Sequence, residues 1–377
     1  MKILHLADLH FGKRIDNLSL IEDQKYINEK ILAVIDEKKI GTVLISGDVY
    51  DRFIPSEEAV ALLDEFLYAL SIRHLNVLII AGNHDSDERL AFGDRLIENA
   101  GIYISPVYDG KIKKVILSDE YGNINFFLLP FIKPTMVARF YPDENINSYT
   151  DAVKVVIDNM HIDEKERNII LSHQFVTGAH QDGSEDELFL GGTSNVDSSV
   201  YEIFDYTALG HIHRPQNVKG KKIRYAGSPI KFSFNEEKQN KALTIVELKE
   251  KGDLCIELIP LELLRDFITL KGNFEELRKG DSKVRTDDFV NIILTDEEMI
   301  PNAFSRLSMI YPNIQRLSYE NKRTANDAEI DGGSINLKLS PNEMIKDFYK
   351  LRNGQDLSLE QTDYLDDLIE KIWGGEL

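Results

Sequence analysis

An apolar run, Val77 to Ile80, stops at Ala81-Gly82 and hands the chain to Asn83, His84 and Asp85. A run of roughly four to eight β-formers that breaks into glycine and polar groups reads as a buried strand placing chemistry at the carboxyl edge of a sheet. Gly82 lets the backbone turn where a Cβ would obstruct it. The pattern recurs along the chain. Lys2 to Ala7 leads into Asp8-Leu9-His10, and Thr42 to Ser46 into Gly47-Asp48-Val49-Tyr50-Asp51. Asn168 to Ser172 ends in His173, and Tyr206 to Leu209 leads into Gly210-His211-Ile212-His213. A lone Asp after a strand is ordinarily a helix cap, and a lone buried His is ordinarily part of a core. Here five of the nine histidines sit at strand ends, so the fold has to gather those ends at one edge.

The segments between them carry helical signals. Leu20 to Lys39 places Ile27, Ile31, Val34 and Ile35 on one stripe. Pro55-Ser56-Glu57-Glu58 opens a helix with acids in its first turn. Glu88 to Ala100 reads as one further helix, stopped by Gly101. Farther on, Ile124 to Pro130 and Leu243 to Leu248 read as strands, Asp151 to Met160 as a helix, and Asp182 to Ser199 as a loop. Strand–helix alternation predicts a largely parallel, layered α/β domain.

Charge restricts the partners. The formal net charge of −20 argues against general electrostatic capture of nucleic acid. Any DNA contact therefore requires a metal centre, a partner or a local basic surface. Lys13, Arg14, Arg214, Lys219, Lys221, Lys222 and Arg224 are candidates for such a surface, and a solvated lysine turn is the plain alternative for the KGKK stretch. The single cysteine, Cys255, rules out an internal disulfide framework and fits a reducing cytoplasm. No apolar run has the length of a signal peptide or a membrane span.

The residue types at the strand ends argue for metal. Carboxylate, amide and imidazole donors suit borderline to hard divalent ions, and the lack of thiolates disfavours structural zinc or iron–sulfur. The donors are too many for one ion. Two ions roughly 3.5–4 Å apart can clamp the attacking and leaving oxygens of a phosphoryl displacement. Asp48 is the natural bridge, because a carboxylate offers two oxygens.

DLH, GDVYD, GNHD, the lone SHQ and GHIH, in this order, resemble the five motifs of the calcineurin-like metallophosphoesterases. ALGHIHRPQ followed by YAGSPIKFSF, and the FEEL, LTDEE and IYPNI stretches, are similar to the DNA-nuclease branch of that superfamily. The resemblance spans essentially the whole chain. It implies a layered α/β metallophosphoesterase sandwich and a manganese-dependent nuclease. That enzyme acts on double-stranded and hairpin DNA ends, as a homodimer bound to a long coiled-coil ATPase, in the cytoplasm beside the nucleoid. It also implies site roles. Asp8, His10 and His213 hold one ion, Asn83, His173 and His211 the other, and Asp48 bridges. His84 faces the phosphate and protonates the leaving oxygen, with Asp51 orienting its ring. Asp85 only supports the loop. Arg52 after Asp51 departs toward the phosphoprotein phosphatases, where an arginine at that place grips phosphate. A phosphomonoesterase is thus one alternative reading, and a non-catalytic scaffold protein is another.

The metallophosphoesterase domain is expected over residues 1–265. Residues 266–321 read as a small α+β domain without the metal chemistry, by resemblance a cap over the nuclease site. Residues 322–339 are polar and linker-like. Residues 340–377 carry two helix signatures. Ser340 with Glu343 forms a capping box ahead of Met344, Ile345, Phe348 and Tyr349. Ser358 with Gln361 precedes Leu365, Leu368, Ile369, Ile372 and Trp373. Tethered amphipathic helices commonly dock in a partner's groove, and the resemblance names the base of the ATPase coiled coil. Packing of the two stripes on each other or on the main domain is the plain alternative.

Overall fold

The computed structural model describes residues 1–15, 18–180 and 195–321, and beyond these only scattered positions between 345 and 368. In chain order the elements are β1 (Lys2–Leu6), β2 (Arg14–Ile15), β3 (Leu18–Ser19), α1 (Ile21–Lys38), β4 (Thr42–Ser46), α2 (Glu57–Ser71) and β5 (Asn76–Ile80). Then come α3 (Asp87–Leu90), α4 (Asp94–Ile97), β6 (Ile102–Ile104), β7 (Lys113–Asp119), β8 (Gly122–Leu128), α5 (Pro134–Val137), α6 (Tyr149–Asp158) and β9 (Arg167–Ser172). β10 (Tyr206–Leu209), β11 (Gln216–Lys219), β12 (Ile223–Tyr225), β13 (Ala242–Leu248) and β14 (Leu254–Pro260) follow. The last described elements are β15 (Phe267–Gly272), α7 (Phe274–Leu277), β16 (Phe289–Leu294), α8 (Ala303–Leu307) and β17 (Ile314–Tyr319).

The chain divides after Asp266 into two compact units. The first holds two six-stranded sheets, ordered β14-β13-β1-β4-β5-β6 and β11-β12-β10-β9-β8-β7. Each has four consecutive parallel strands. The second sheet adds an antiparallel strand at each edge, while the first carries its antiparallel pair, β13 and β14, at one edge and ends in parallel β6 at the other. Leu44 and Leu78 of the first sheet share a dry core with Phe126, Ile169, Leu171 and Ala208 of the second, so the sheets pack face to face. Successive strand residues alternate between faces. Val43, Ile45, Val77 and Ile79 are buried on the opposite face of the first sheet, and the buried stripe of α1 is Ile27, Ile31 and Ile35. On the far face of the second sheet, Val153, Val156 and Ile157 of α6 pack with Phe127, Ile170 and Leu209. The layered α/β sandwich is the architecture the strand–helix alternation predicts.

Local chemistry sets the helix ends. Ser56 caps α2 by accepting from Ala59 N, and Ser148 and Asp151 form a reciprocal capping box on α6. The single helix expected over Glu88 to Ala100 is instead two short helices and a 3₁₀ turn. Gly93 breaks it by taking a left-handed conformation, φ +78°.

The second unit carries a three-stranded parallel sheet, β15-β16-β17. Its core joins Leu270, Val290, Ile292 and Leu294 to Phe274 of α7 and Leu307 of α8. The linker read over 322–339 lies outside the described residues, as do most of the tail positions. Within the tail, Ser358 N donates to Gln361 Oε1 at 2.9 Å and Gln361 N to Ser358 Oγ at 3.2 Å. Among the described residues, no helix is long and apolar enough to cross a membrane.

Candidate metal centre

Register places the first three donor loops side by side. Leu6 pairs with Ile45, and Ser46 with Ile80, so β1, β4 and β5 end at one level. The backbone ladder continues past the strands: Asp8 N donates to the Gly47 carbonyl at 3.1 Å, and His10 N to the Asp48 carbonyl at 2.9 Å. In the second sheet Ser172 pairs with Leu209, which sets His173 beside the Gly210–His213 loop. Close approach explains two glycines. A Cβ on Gly82 would lie 2.1 Å from Asp48 Oδ1, and one on Gly210 would lie 2.0 Å from the Ser46 carbonyl. Asp8, His10, Asp48 and His211 all have positive φ. For non-glycine residues this costs roughly 1–3 kcal/mol each and collects at functional sites.

The five strand ends converge. Asp8, His10 and His213 form one group whose donor atoms lie within 4.8 Å of one another, and Asp48, His173 and His211 form a second. Asp48 Oδ2 lies 3.2 Å from His173 Nε2 and 3.6 Å from His10 Nε2, one contact in each group. Asn83 Oδ1 joins the second group, 3.1 Å from His173 Nε2 and 2.9 Å from His211 Nδ1. Asp8 Oδ1 accepts from His211 N at 2.8 Å, while its buried Oδ2 has no hydrogen-bond partner among the described residues.

Electrostatics follows from burial and from this crowding. Burial alone would raise Asp48, but His173, His10 and His84 around it hold its carboxyl well below the usual range. Burial lowers His173, yet Asp48 and Asp8 overcome this and raise it to about 9. Burial pushes Asp8 up to about 6, against the pull of His173 and His213. It likewise lowers His10 to about 4, partly offset by Asp51 and Asp48, and His211 to about 3, helped by His173.

His84 is half-buried, unlike the ligand-type histidines around it. Its Nδ1–H donates to the main-chain carbonyl of Asp51 at 3.0 Å, which fixes that nitrogen as the protonated one. The expected orienting contact from the Asp51 carboxylate is therefore made by the Asp51 backbone. The carboxylate instead meets Lys13 Nζ at 2.8 Å and His10 Nδ1 at 3.6 Å, and these partners bring it down to about 2 against the opposing effect of burial. Asp85 accepts from Gly82 N, Val49 N and Tyr50 N at 2.8–3.0 Å and so ties two donor loops together. The Arg52 side chain is largely exposed.

Some supporting residues carry no sequence signal. Gln24 on α1 donates to the carbonyls of Leu9 and His10 at 3.1 and 2.7 Å, pinning the first loop. Phe232, within the YAGSPIKFSF stretch, lies behind His213 together with Glu236 and Lys241, two lone side chains without spacing or periodicity to reveal them. Of the cations considered for phosphate, Arg224 is buried and donates to Asn217 Oδ1, and Lys219 pairs with Glu202. Lys221 and Lys222 stay exposed.

The donor set fits divalent ions. It combines oxygens and imidazoles, and all its members but Asn83 are buried. They gather into the two groups above, beside a third of His10, Asp51 and half-buried His84, and Asp8 Oδ2 meets no protein donor among the described residues. Residues 1–215 match the family described as calcineurin-like phosphoesterase, and residues 263–353 match the type 5 capsule protein repressor C-terminal domain. The chain belongs to the calcineurin-like phosphoesterases, whose members use divalent metals. Within them it falls in the SbcD group. It is 31% identical over 383 residues to the SbcD component of the SbcCD nuclease of Staphylococcus epidermidis, covering 100% of each chain. It is also 31% identical over 377 residues to the protein of the same name from Staphylococcus saprophyticus, covering 99% of this chain and 98% of the relative. A solved dimetal phosphatase from Danio rerio overlays on 70% of this chain and 98% of its own, with a TM-score of 0.42 at 13% identity.

Proposed function

We propose that this chain is a two-ion, manganese-dependent DNA phosphodiesterase that works with the coiled-coil ATPase SbcC. Its activities are ATP-stimulated 3′–5′ exonuclease on double strands and endonuclease on hairpins and single strands, in end processing, recombination and repair. The observation that carries the reading is Asp48, whose carboxylate lies between the two donor groups. In this reading Asp8, His10 and His213 hold one ion, Asn83, His173 and His211 the other, and Asp48 spans both. The ions, when bound, supply Lewis acidity for an in-line displacement at phosphorus. His84, half-exposed at the rim, faces the scissile phosphate. In its protonated form it keeps Nδ1–H on the Asp51 carbonyl and gives Nε2–H to the leaving oxygen. Asp51 acts by holding both His84, through its carbonyl, and His10, through its carboxylate.

The assay is turnover of bis-p-nitrophenyl phosphate against p-nitrophenyl phosphate with manganese, followed by blunt, hairpin and single-stranded DNA with and without SbcC. Faster monoester than diester turnover replaces the reading with a phosphomonoesterase. No turnover of either leaves a scaffold protein.

The remaining assignments belong to the same proposal. Residues 266–321 cap the nuclease domain of residues 1–265, residues 322–339 link, and residues 340–377 dock SbcC. The division after Asp266 and the separate family match over 263–353 support a domain boundary there. Two copies pair in a heterotetramer. That pairing is supported by apolar side chains left in solvent around α2 to α4: Phe53, Ile54, Val60, Phe92 and Leu96.

A further inference from the structure

Behind the strand-end donors lies a charged pair with no solvent contact. The Glu236 and Lys241 side chains are both 0% exposed, and their charges meet at 2.6 Å. Burying two charges is costly unless every remaining donor and acceptor is satisfied, and here the partners are specific. Lys241 Nζ, with three N–H donors, is surrounded by four acceptors: Glu236 Oε2 at 2.6 Å, Ser228 Oγ at 2.7 Å, Gln239 Oε1 at 2.7 Å and the main-chain carbonyl of His213 at 2.9 Å. The other Glu236 oxygen, Oε1, lies 3.3 Å from His213 Nδ1 and accepts from Phe232 N at 3.3 Å. The pair therefore holds one histidine twice, by its backbone and by its ring. The Phe232 ring closes the third side, edge-on to both His10 and His213 with centroids 5.2 and 5.3 Å away.

The consequence is directional. A carboxylate only accepts, so the His213 ring meets it with Nδ1–H, and Nε2 is the nitrogen left for other work. That Nε2 is the atom 3.2 Å from His10 Nε2. Imidazoles that bind metal commonly hand their other N–H to a carboxylate, which fixes tautomer and ring orientation. We infer that Glu236, its charge balanced by Lys241, is a positioning residue that delivers His213 Nε2 to the Asp8–His10 donor group. The inference rests on the two-ion reading above.

The test uses the full-length chain and cobalt or manganese as the probe, followed by calorimetry and, for cobalt, by the visible spectrum. Two double variants remove the buried charges together: Glu236→Met/Lys241→Met, and Glu236→Gln/Lys241→Met, which keeps an acceptor for the His213 ring. The wild type takes up two ions. The first double variant holds one ion as before and binds the other about 10–100-fold more weakly, with an altered cobalt spectrum. The second recovers most of that affinity. Metal-free melting of the two doubles should agree, separating positioning from stability. Two ions of wild-type affinity in both doubles, or equal weakening in both, overturns the inference and leaves the two-ion reading standing. Fewer than two ions in the wild type overturns both. A measurement on cobalt-loaded wild type needs no substitution: the His213 Nδ1 proton, buried against Glu236, gives a paramagnetically shifted signal that persists in deuterium oxide. Its absence overturns the inference.

Discussion

His10 Nε2 lies 3.2 Å from His213 Nε2, although 203 positions separate them in the chain. One follows β1 of the first sheet and the other follows β10 of the second. Removal of either should cost the ion of that group alone. His213→Ala is expected to retain one ion of two. Asp48→Ala should lose both, and hydrolysis with them, because its carboxylate reaches both groups. Metal analysis after gel filtration checks the counts, and two ordered ions in Asp48→Ala would remove it from its bridging role.

His84 is expected to behave differently from the donors. Its Nδ1–H is engaged by the Asp51 carbonyl, and its ring lies edge-on to His10 with centroids 4.9 Å apart. His84→Ala should keep both ions and lose about 10²–10⁴-fold in diester hydrolysis, the usual contribution of a general acid. Loss of an ion in that variant, measured by calorimetry, would make His84 a ligand instead.

The raised His173 sets a pH dependence. In the metal-free chain it stands at about 9 and so carries a proton at pH 7, which has to leave before the ring can serve as a donor. Manganese uptake at pH 7 should release protons, and affinity should climb from pH 7 to 9. Metal-free stability runs the other way. A raised histidine contributes stability that is complete below its unfolded value of about 6.5 and is lost as pH rises through the folded one. Asp48, depressed, contributes stability that is present above its unfolded value and lost as pH falls through its folded one. Chelator-treated protein should therefore resist urea better at pH 6 than at pH 9. His10 and His211, lowered by burial, act in the opposite sense as pH falls through 6.5, so equal midpoints at the two would show that the His173 contribution does not exceed theirs.

Phe92 and Leu96 are 87% and 82% exposed. Phe92→Asp/Leu96→Asp should convert the proposed dimer to a monomer without touching the metal count. Light scattering gives the mass directly, and an unchanged dimer places the interface elsewhere.

Deletion from Ser340 onward should abolish stable association with SbcC and leave small-diester hydrolysis intact. Full co-purification of the truncated chain with SbcC would return the tail to a role inside this chain.

The strand ends are legible because period, glycine and polar outlet coincide at each of them, and parallel register then puts the outlets together. What spacing cannot reveal is which atom of a residue does the work. Asp51 shows this: it reaches His84 through its carbonyl, while its carboxylate serves His10 and Lys13. Nor does sequence distinguish a charge that will be buried from one that will be solvated. Glu236, Lys241 and Arg224 are of types that ordinarily lie at the surface, and Arg224 is among the candidates for a basic patch, yet all are inside. The break at Gly93 is hidden for a related reason. A lone glycine in a helical pattern is usually tolerated, and only its positive φ decides the matter.

The donor groups draw on both sheets: Asp8, His10, Asp48 and Asn83 follow strands of one, while His173, His211 and His213 follow strands of the other. Neither sheet alone presents a full set. Both donor groups are therefore completed only where the two layers close over their shared core of Leu44, Leu78, Phe126 and Leu171. Metal capture is in this sense a late report on assembly. A chain that has formed its strands but not joined its layers holds each donor group only in part.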